Sequence, residues 1–174
     1  MGLLAAIMLA VYLANPFGTA SLDPRARLLG VALYKIPSRS MEPTLQQGDF
    51  ILANAARYAF ADLVVFRFPP QRSIAYVKRI AGIPGDRVRI DGGRLYVNER
   101  PVTEPYLAQQ ALRQPDSLRM AQRTVPAGHY FMLGDNRDNS NDSRYWGYVP
   151  RADLVGRVFA VWYAEDTRRI GSVR

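Results

Sequence analysis

Hydrophobic and polar positions divide this 174-residue chain into two unequal stretches. Leu3 to Leu13 is apolar throughout apart from the Tyr12 hydroxyl, and Pro16 and Gly18 mark its end. After Asp23-Pro24 the apolar positions come in short runs separated by Gly, Pro and Asp, the pattern of strands joined by turns. Asp49 to Ala53 reads as a short strand. Leu63 to Phe68 reads as a β-branched and aromatic strand closed by Pro69-Pro70. From Ile74 to Ile80 the chain alternates, so Ile74, Tyr76, Lys78 and Ile80 share one face and Arg79 takes the other. Three apolar residues on that face point Lys78 inward. Gly82 to Asp86 is a turn, and Arg87 to Ile90 and Leu95 to Asn98 flank Asp91-Gly92-Gly93 as a hairpin. Further apolar or aromatic segments follow at Tyr130 to Leu133, Tyr145 to Val149 and Val155 to Tyr163. Residues 101–128 are more polar and carry four prolines; they read as a looser insertion or lobe edge, with a short helical turn near Tyr106 to Arg113. The expected fold class is all-β, mainly antiparallel sheets closing barrel-like, preceded by a short apolar helix. The expected organisation is a segment 1–20 followed by one β domain, 21–174.

The apolar N-terminus is short of the roughly 20 residues that a full membrane span needs. It fits three fates: a short or truncated membrane anchor, a cleavable signal, or a buried core helix. A cleavable signal would carry a basic leading region, which is missing, although Gly18-Thr19-Ala20 offers a small-x-small cleavage site. The anchor is the expected one. Arg25 and Arg27 follow it, and the positive-inside rule taken alone would keep that side cytoplasmic.

Composition narrows the chemistry. There is no cysteine, which removes disulfides, thiol catalysis and thiolate metal sites, and the lone His129 cannot build a multi-histidine metal site. The net charge of +8 favours an anionic partner, either nucleic acid or acidic lipid headgroups. Only Lys35 and Lys78 among the 23 basic residues are lysines. Arginine does not release its proton in a protein, whereas a buried lysine does. A lysine inside an apolar strand is therefore a candidate base, its pKa lowered by desolvation.

A serine on a firm turn is the complementary candidate. Ser38-Arg39-Ser40-Met41-Glu42-Pro43-Thr44-Leu45 offers one, with Ser38 two residues before it. Serine with a neutral amine makes a nucleophile without histidine. The Asp- and Asn-rich run Gly134 to Arg144 invites a calcium-loop reading. Counting from Asp135 puts Arg137 and Trp146 where that loop needs acceptors, so a self-bonded loop with Asp142 paired to Arg144 fits better. Such a loop also holds Ser140 against a buried amine.

These segments together resemble the bacterial type I signal peptidase (leader peptidase) family. Its Ser-x-Ser-Met-x-Pro-Thr-Leu, Lys-Arg-x-x-Gly-x-Pro-Gly-Asp and Gly-Asp-Asn-Arg-Asp-Asn-Ser-x-Asp-Ser-Arg boxes appear in order at residues 38–45, 78–86 and 134–144. The resemblance implies a membrane-bound serine endopeptidase whose catalytic domain lies on the outer, periplasmic side of the cytoplasmic membrane. It cuts signal peptides from exported preproteins after a small residue, in Ala-x-Ala contexts. By this resemblance Ser40 is the acyl-forming nucleophile and Lys78 the general base. Ser38 and the Ser40 N–H serve the oxyanion, Ser140 orients Lys78, and Asp142 and Arg144 hold the loop. Ile36, Pro37, Met41, Leu45, Tyr76 and Val77 would line the substrate pockets. No cofactor and no metal are expected; the expected partners are preproteins and the phospholipid membrane, with no nucleic acid. Asn98-Glu99 stands where the family more often has Asn-Gly. Two rivals remain to be weighed: an SOS-repressor-type Ser-Lys autoprotease, and a non-catalytic basic β-barrel for single-stranded nucleic acid.

Overall fold

The fold is seen in a computed structural model, which describes residues 2–18, 24–107 and 112–173. Helices α1 (Gly2–Ala14) and α2 (Pro24–Leu29) come first. Then follow β1 (Val31–Lys35), β2 (Phe50–Asn54), β3 (Leu63–Arg67), β4 (Ala75–Gly82), β5 (Arg87–Asp91), β6 (Arg94–Val97) and β7 (Arg100–Pro101). The helical turn α3 (Pro115–Leu118) leads into β8 (Arg119–Thr124) and β9 (His129–Leu133). A second helical turn, α4 (Ser143–Trp146), precedes β10 (Val149–Pro150), β11 (Leu154–Tyr163) and β12 (Gly171–Ser172).

All pairings are antiparallel, in agreement with the all-β expectation. The larger sheet runs β1-β2-β11-β3-β4-β9-β10, with β12 also on β11; the smaller runs β7-β6-β5-β8. Period-two burial divides the strands between three apolar clusters. In β9, Phe131 and Leu133 join Val88, Ile90 and Leu95 of the small sheet, while Tyr130 and Met132 join Val64, Phe66 and Ile80 of the large one. Beneath the Ser40 turn, Ile36, Met41 and Leu45 pack with Ile51, Val65 and Val158. Gly82 joins the two sheets, because a side chain there would meet Val88 Cγ1 at 2.7 Å and Val125 Cγ2 at 3.0 Å.

Two longer strands, β1 and β8, were not anticipated, nor were the two-residue strands β7 and β12. β1 follows closely on the N-terminal helices, and β8 lies inside the Pro-marked stretch expected to be looser. β8 pairs with β5 along its length, yet only Met120 of its six residues is buried, so its sequence has little apolar alternation. The expected helical turn near Tyr106 is present as a 3-10 turn, Pro105–Leu107. Its continuation through 108–111 lies outside the described residues, as do Thr19-Ala20 of the small-x-small site and the boundary near residue 20. The two-residue turn at Asn98-Glu99 takes left-handed backbone at both positions, φ 51° and 66°. Glu99 thus occupies a conformation that suits glycine.

α1 is apolar along its whole length and buries no residue. It is tied down at its end: Arg27 donates from a guanidinium nitrogen to the Tyr12 carbonyl at 3.3 Å, and the Phe17 ring packs against Gly30, where an added Cβ would fall 2.8 Å from Phe17 Cδ1. Among the described residues no helix is long and apolar enough to cross a membrane.

Candidate active site

The Ser40 turn is folded by its apolar neighbours. Met41 and Leu45 are 1% and 0% exposed and pull the turn onto the core. Ile36 N–H donates to Asp49 O at 2.8 Å and Gly48 N–H to Ile36 O at 2.9 Å, closing the base of the loop. Asp49 also accepts from Gln46 N–H at 2.8 Å and from Arg169 at 2.6 Å. Arg169 reaches back from the C-terminal segment and donates to the Pro43 and Thr44 carbonyls at 3.1 and 3.2 Å.

This brings Ser40 to Lys78. Lys78 Nζ donates to Ser40 Oγ at 2.6 Å, although 38 residues separate them. The alternation expected in β4 holds for Lys78 and Ile80, which are 3% and 0% exposed. It fails at Ile74, which precedes the strand and is 40% exposed at the groove rim, and it does not anticipate that Arg79 is buried too. Burial pushes the Lys78 amine down to about 8; Asp142 and Asp135 oppose that shift and Arg144 adds to it. Ser38 Oγ lies 3.2 Å from Ser40 Oγ.

The Gly134–Arg144 loop closes the other side. Asn136 N–H donates to Ser40 O at 3.1 Å, and its side-chain amide donates to Arg39 O at 3.1 Å. Asp142 caps α4 and accepts from Gly134 N–H at 3.0 Å and from Arg144 Nε at 2.8 Å. Arg144 further donates to the Arg137 carbonyl at 2.5 Å and to Ser117 Oγ at 2.9 Å. Asp142 and Arg144 are both buried, which strengthens these charge-assisted bonds. Ser140 lines the same groove as Ser40 and Lys78; its Oγ is buried and makes no hydrogen bond among the described residues. Gly134 leaves the room for it, since a Cβ at Gly134 would fall 2.1 Å from Ser140 Oγ and 2.6 Å from Ser40 O.

The three segments meet along a groove of about 740 Å³. Ile36, Pro37, Met41, Tyr76 and Val77 line it, as do Val65 and Tyr145, which the sequence reading did not single out. Leu45 does not line it: it is wholly buried in the core under the turn and supports the site from beneath. Two strand edges face the groove. β1 is an edge strand, and β9 pairs only with the Arg79–Gly82 half of β4, so no described strand flanks residues 75–78 on that side.

The sequence reading also missed a buried ionic layer behind the loop. Arg79 holds Asp135 bidentately, at 2.9 and 2.6 Å, and Thr44 Oγ1 donates to the same carboxylate at 2.5 Å. Arg137, 1% exposed, pairs with Glu104 from the polar stretch. The one available signal was the arginine directly after Lys78 in an apolar strand; the acidic partners lie 56 and 33 residues from their arginines. Among the described residues no group of three or more His, Cys, Asp or Glu side chains could hold a metal ion. His129 accompanies the Ala127 carbonyl at 2.9 Å and is not part of the groove lining.

A family model described as "Signal peptidase, peptidase S26" matches residues 3–163. The chain belongs to this family. Signal peptidase I of Pseudomonas aeruginosa is 41% identical, with 74% of this chain and 63% of the relative covered. Signal peptidase I of Leptolyngbya laminosa is 37% identical over 78% of this chain and 71% of the relative. The chain thus spans 63% of the length of the Pseudomonas aeruginosa relative, and the same share of one from Pseudomonas fluorescens. Among solved structures, a signal peptidase I from Enterococcus faecalis V583 superposes with a TM-score of 0.53 at 31% identity, covering 59% of this chain and 97% of that one.

Proposed function

We propose that this chain is a serine endopeptidase that removes signal peptides from exported preproteins, cutting after a small residue through a Ser-Lys dyad. The observation that carries the reading is the 2.6 Å contact between the Ser40 hydroxyl and a buried lysine amine whose pKa is lowered to about 8. A neutral amine accepts the hydroxyl proton, and Ser40 Oγ attacks the substrate carbonyl. The oxyanion forms beside the Ser38 hydroxyl and the Ser40 N–H. The Lys78 ammonium then returns its proton to the leaving amine, which departs and leaves an acyl-enzyme on Ser40. Lys78, neutral again, takes a proton from water as the water attacks the ester. It then passes that proton to Ser40 Oγ as the C–O bond breaks, which releases the second product and restores the neutral amine.

Supporting roles follow from the same geometry. Asp142 and Arg144 fix the loop, and Ser140, with its hydroxyl free, orients the Lys78 amine once substrate has displaced solvent. The substrate lies extended between the free edges of β1 and β4, pairing by β-augmentation. Ile36, Val65 and Val77 line the groove with branched aliphatic side chains, where the small residues next to the cut bond would sit. No cofactor or metal enters these steps. The domain works at the outer face of the cytoplasmic membrane. α1, about 20 Å long at 1.5 Å per residue, enters the hydrocarbon without crossing its roughly 30 Å thickness within the described residues.

The test is cleavage, in detergent, of a preprotein carrying Ala-x-Ala, with product masses giving the cut position. Wild type cuts after the final alanine and Ser40→Ala does not. Cleavage by Ser40→Ala, or cutting that ignores replacement of the two alanines by leucine, would defeat the proposal.

A further inference from the structure

The end of α1 opens onto a second cavity, of about 640 Å³, that shares no lining residue with the groove. Phe17 and Gly18 form one wall, and Arg57, Tyr58, Arg151 and Leu154 form the others. Both arginines are exposed, and neither forms an ion pair among the described residues. The adjacent acid, Asp153, is already engaged by Arg67 at 3.6 Å and by Arg72 at 3.1 Å. Arg151 is held in place, donating to Tyr130 Oη at 3.4 Å with its guanidinium 5.8 Å from the Tyr58 ring centre. The cavity therefore presents two cationic groups with donors to spare beside two aromatic rings.

Its position says what it would bind. Residues 2–10 of α1 are all exposed and apolar, and the membrane association proposed above covers them with hydrocarbon. The C-terminal end of α1 then sits where hydrocarbon gives way to headgroups, and the Phe17–Gly30 and Arg27–Tyr12 contacts hold the cavity at that level. Guanidinium groups match phosphate oxygens bidentately, and aromatic rings favour this interface. We propose that this cavity binds the phosphate of an anionic phospholipid headgroup, with Arg57 and Arg151 as its ligands and Phe17 beside the first acyl carbons. The proposal rests on the membrane association put forward above. It adds a specific lipid site to what would otherwise be a diffuse attraction.

The experiment is co-sedimentation of the full chain with vesicles of phosphatidylcholine, with and without phosphatidylglycerol. Compared are wild type, Arg57→Gln/Arg151→Gln, and Arg94→Gln/Arg100→Gln. The last pair removes the same charge from exposed positions on β6 and β7. Melting temperatures verify that each variant folds, and the single Arg57→Gln serves if the double variant does not. The cavity pair should lower partition onto phosphatidylglycerol vesicles roughly 10- to 30-fold and leave phosphatidylcholine binding unchanged, while the control pair has a much smaller effect. Equal losses from both pairs, or no loss from either, would overturn the site while leaving membrane association intact. A wild type that binds neither vesicle would remove both. Stabilisation by inorganic phosphate without any gain on phosphatidylglycerol would assign the arginines to a soluble phosphate, which also overturns the lipid site.

Discussion

Replacing Lys78 by methionine, Lys78→Met, should change stability in a strongly pH-dependent way. The folded amine titrates near 8, against 10.5 for an ordinary lysine. Desolvation is the leading cause, so burying the charged form costs free energy. Each pKa unit corresponds to about 1.4 kcal/mol, which puts the full cost at about 3–4 kcal/mol. A lysine with a lowered folded pKa destabilises the fold fully below pH 8, where both folded and unfolded forms carry the proton. Between pH 8 and 10.5 the unfolded chain still binds a proton that the folded one has released, so wild-type stability gains with rising pH. Above 10.5 the penalty is gone. Methionine has no such term and fills similar volume. The stability difference, variant minus wild type, should therefore shrink by about 3–4 kcal/mol from pH 7 to pH 11. Urea unfolding of both proteins at one-unit pH steps measures it, and other titrating groups cancel in the difference. A difference that stays flat across this range would mean that Lys78 keeps its ordinary pKa in the folded protein, and the base assignment would lose its physical ground.

Three further outcomes follow from the geometry. Gly134→Ala places a methyl 2.6 Å from Ser40 O and 2.1 Å from Ser140 Oγ; overpacking should cost about 1–3 kcal/mol in denaturant, and a shift of about 1 Å at Ser40 should lower kcat/KM roughly 100-fold. Arg169→Ala removes the donors to Pro43 O, Thr44 O and Asp49, so thermal unfolding should show a loss of about 1–3 kcal/mol, with a fall in kcat/KM as the Ser40 loop loosens. Glu99→Gly relieves left-handed backbone at φ 66°; calorimetry should find the variant about 1 kcal/mol more stable, a rise of about 2–4 °C, with unaltered cleavage.

What the sequence disclosed depended on how local each signal was. β3, β4, β9 and β11 are runs of β-branched and aromatic residues, and each pattern is self-contained. β8 is stabilised by its partner β5 more than by its own side chains, so its polar sequence resembles a loop. Lys78 stood out because a lysine among apolar strand neighbours has few structural reasons to be there. Leu45 was assigned to the groove by family resemblance, and only the packing of the turn shows it facing the core. The Arg79–Asp135 and Arg137–Glu104 pairs were hidden for another reason: an ion pair between segments distant in the chain depends on topology, which no local pattern encodes. The same holds for Arg169, which reaches the Ser40 loop across 120 residues or more.

The most direct test of a neutral Lys78 acting on Ser40 is the pH dependence of kcat/KM for cleavage of an Ala-x-Ala substrate, in wild type and in Lys78→Arg. The wild-type value should rise about tenfold per pH unit and level off near pH 8, where the amine loses its proton. Lys78→Arg, which keeps its proton at every accessible pH, should be inactive throughout. A wild-type profile that is flat between pH 6 and pH 9, in about the range where a depressed lysine titrates, or cleavage that survives in Lys78→Arg, would contradict the Ser-Lys mechanism.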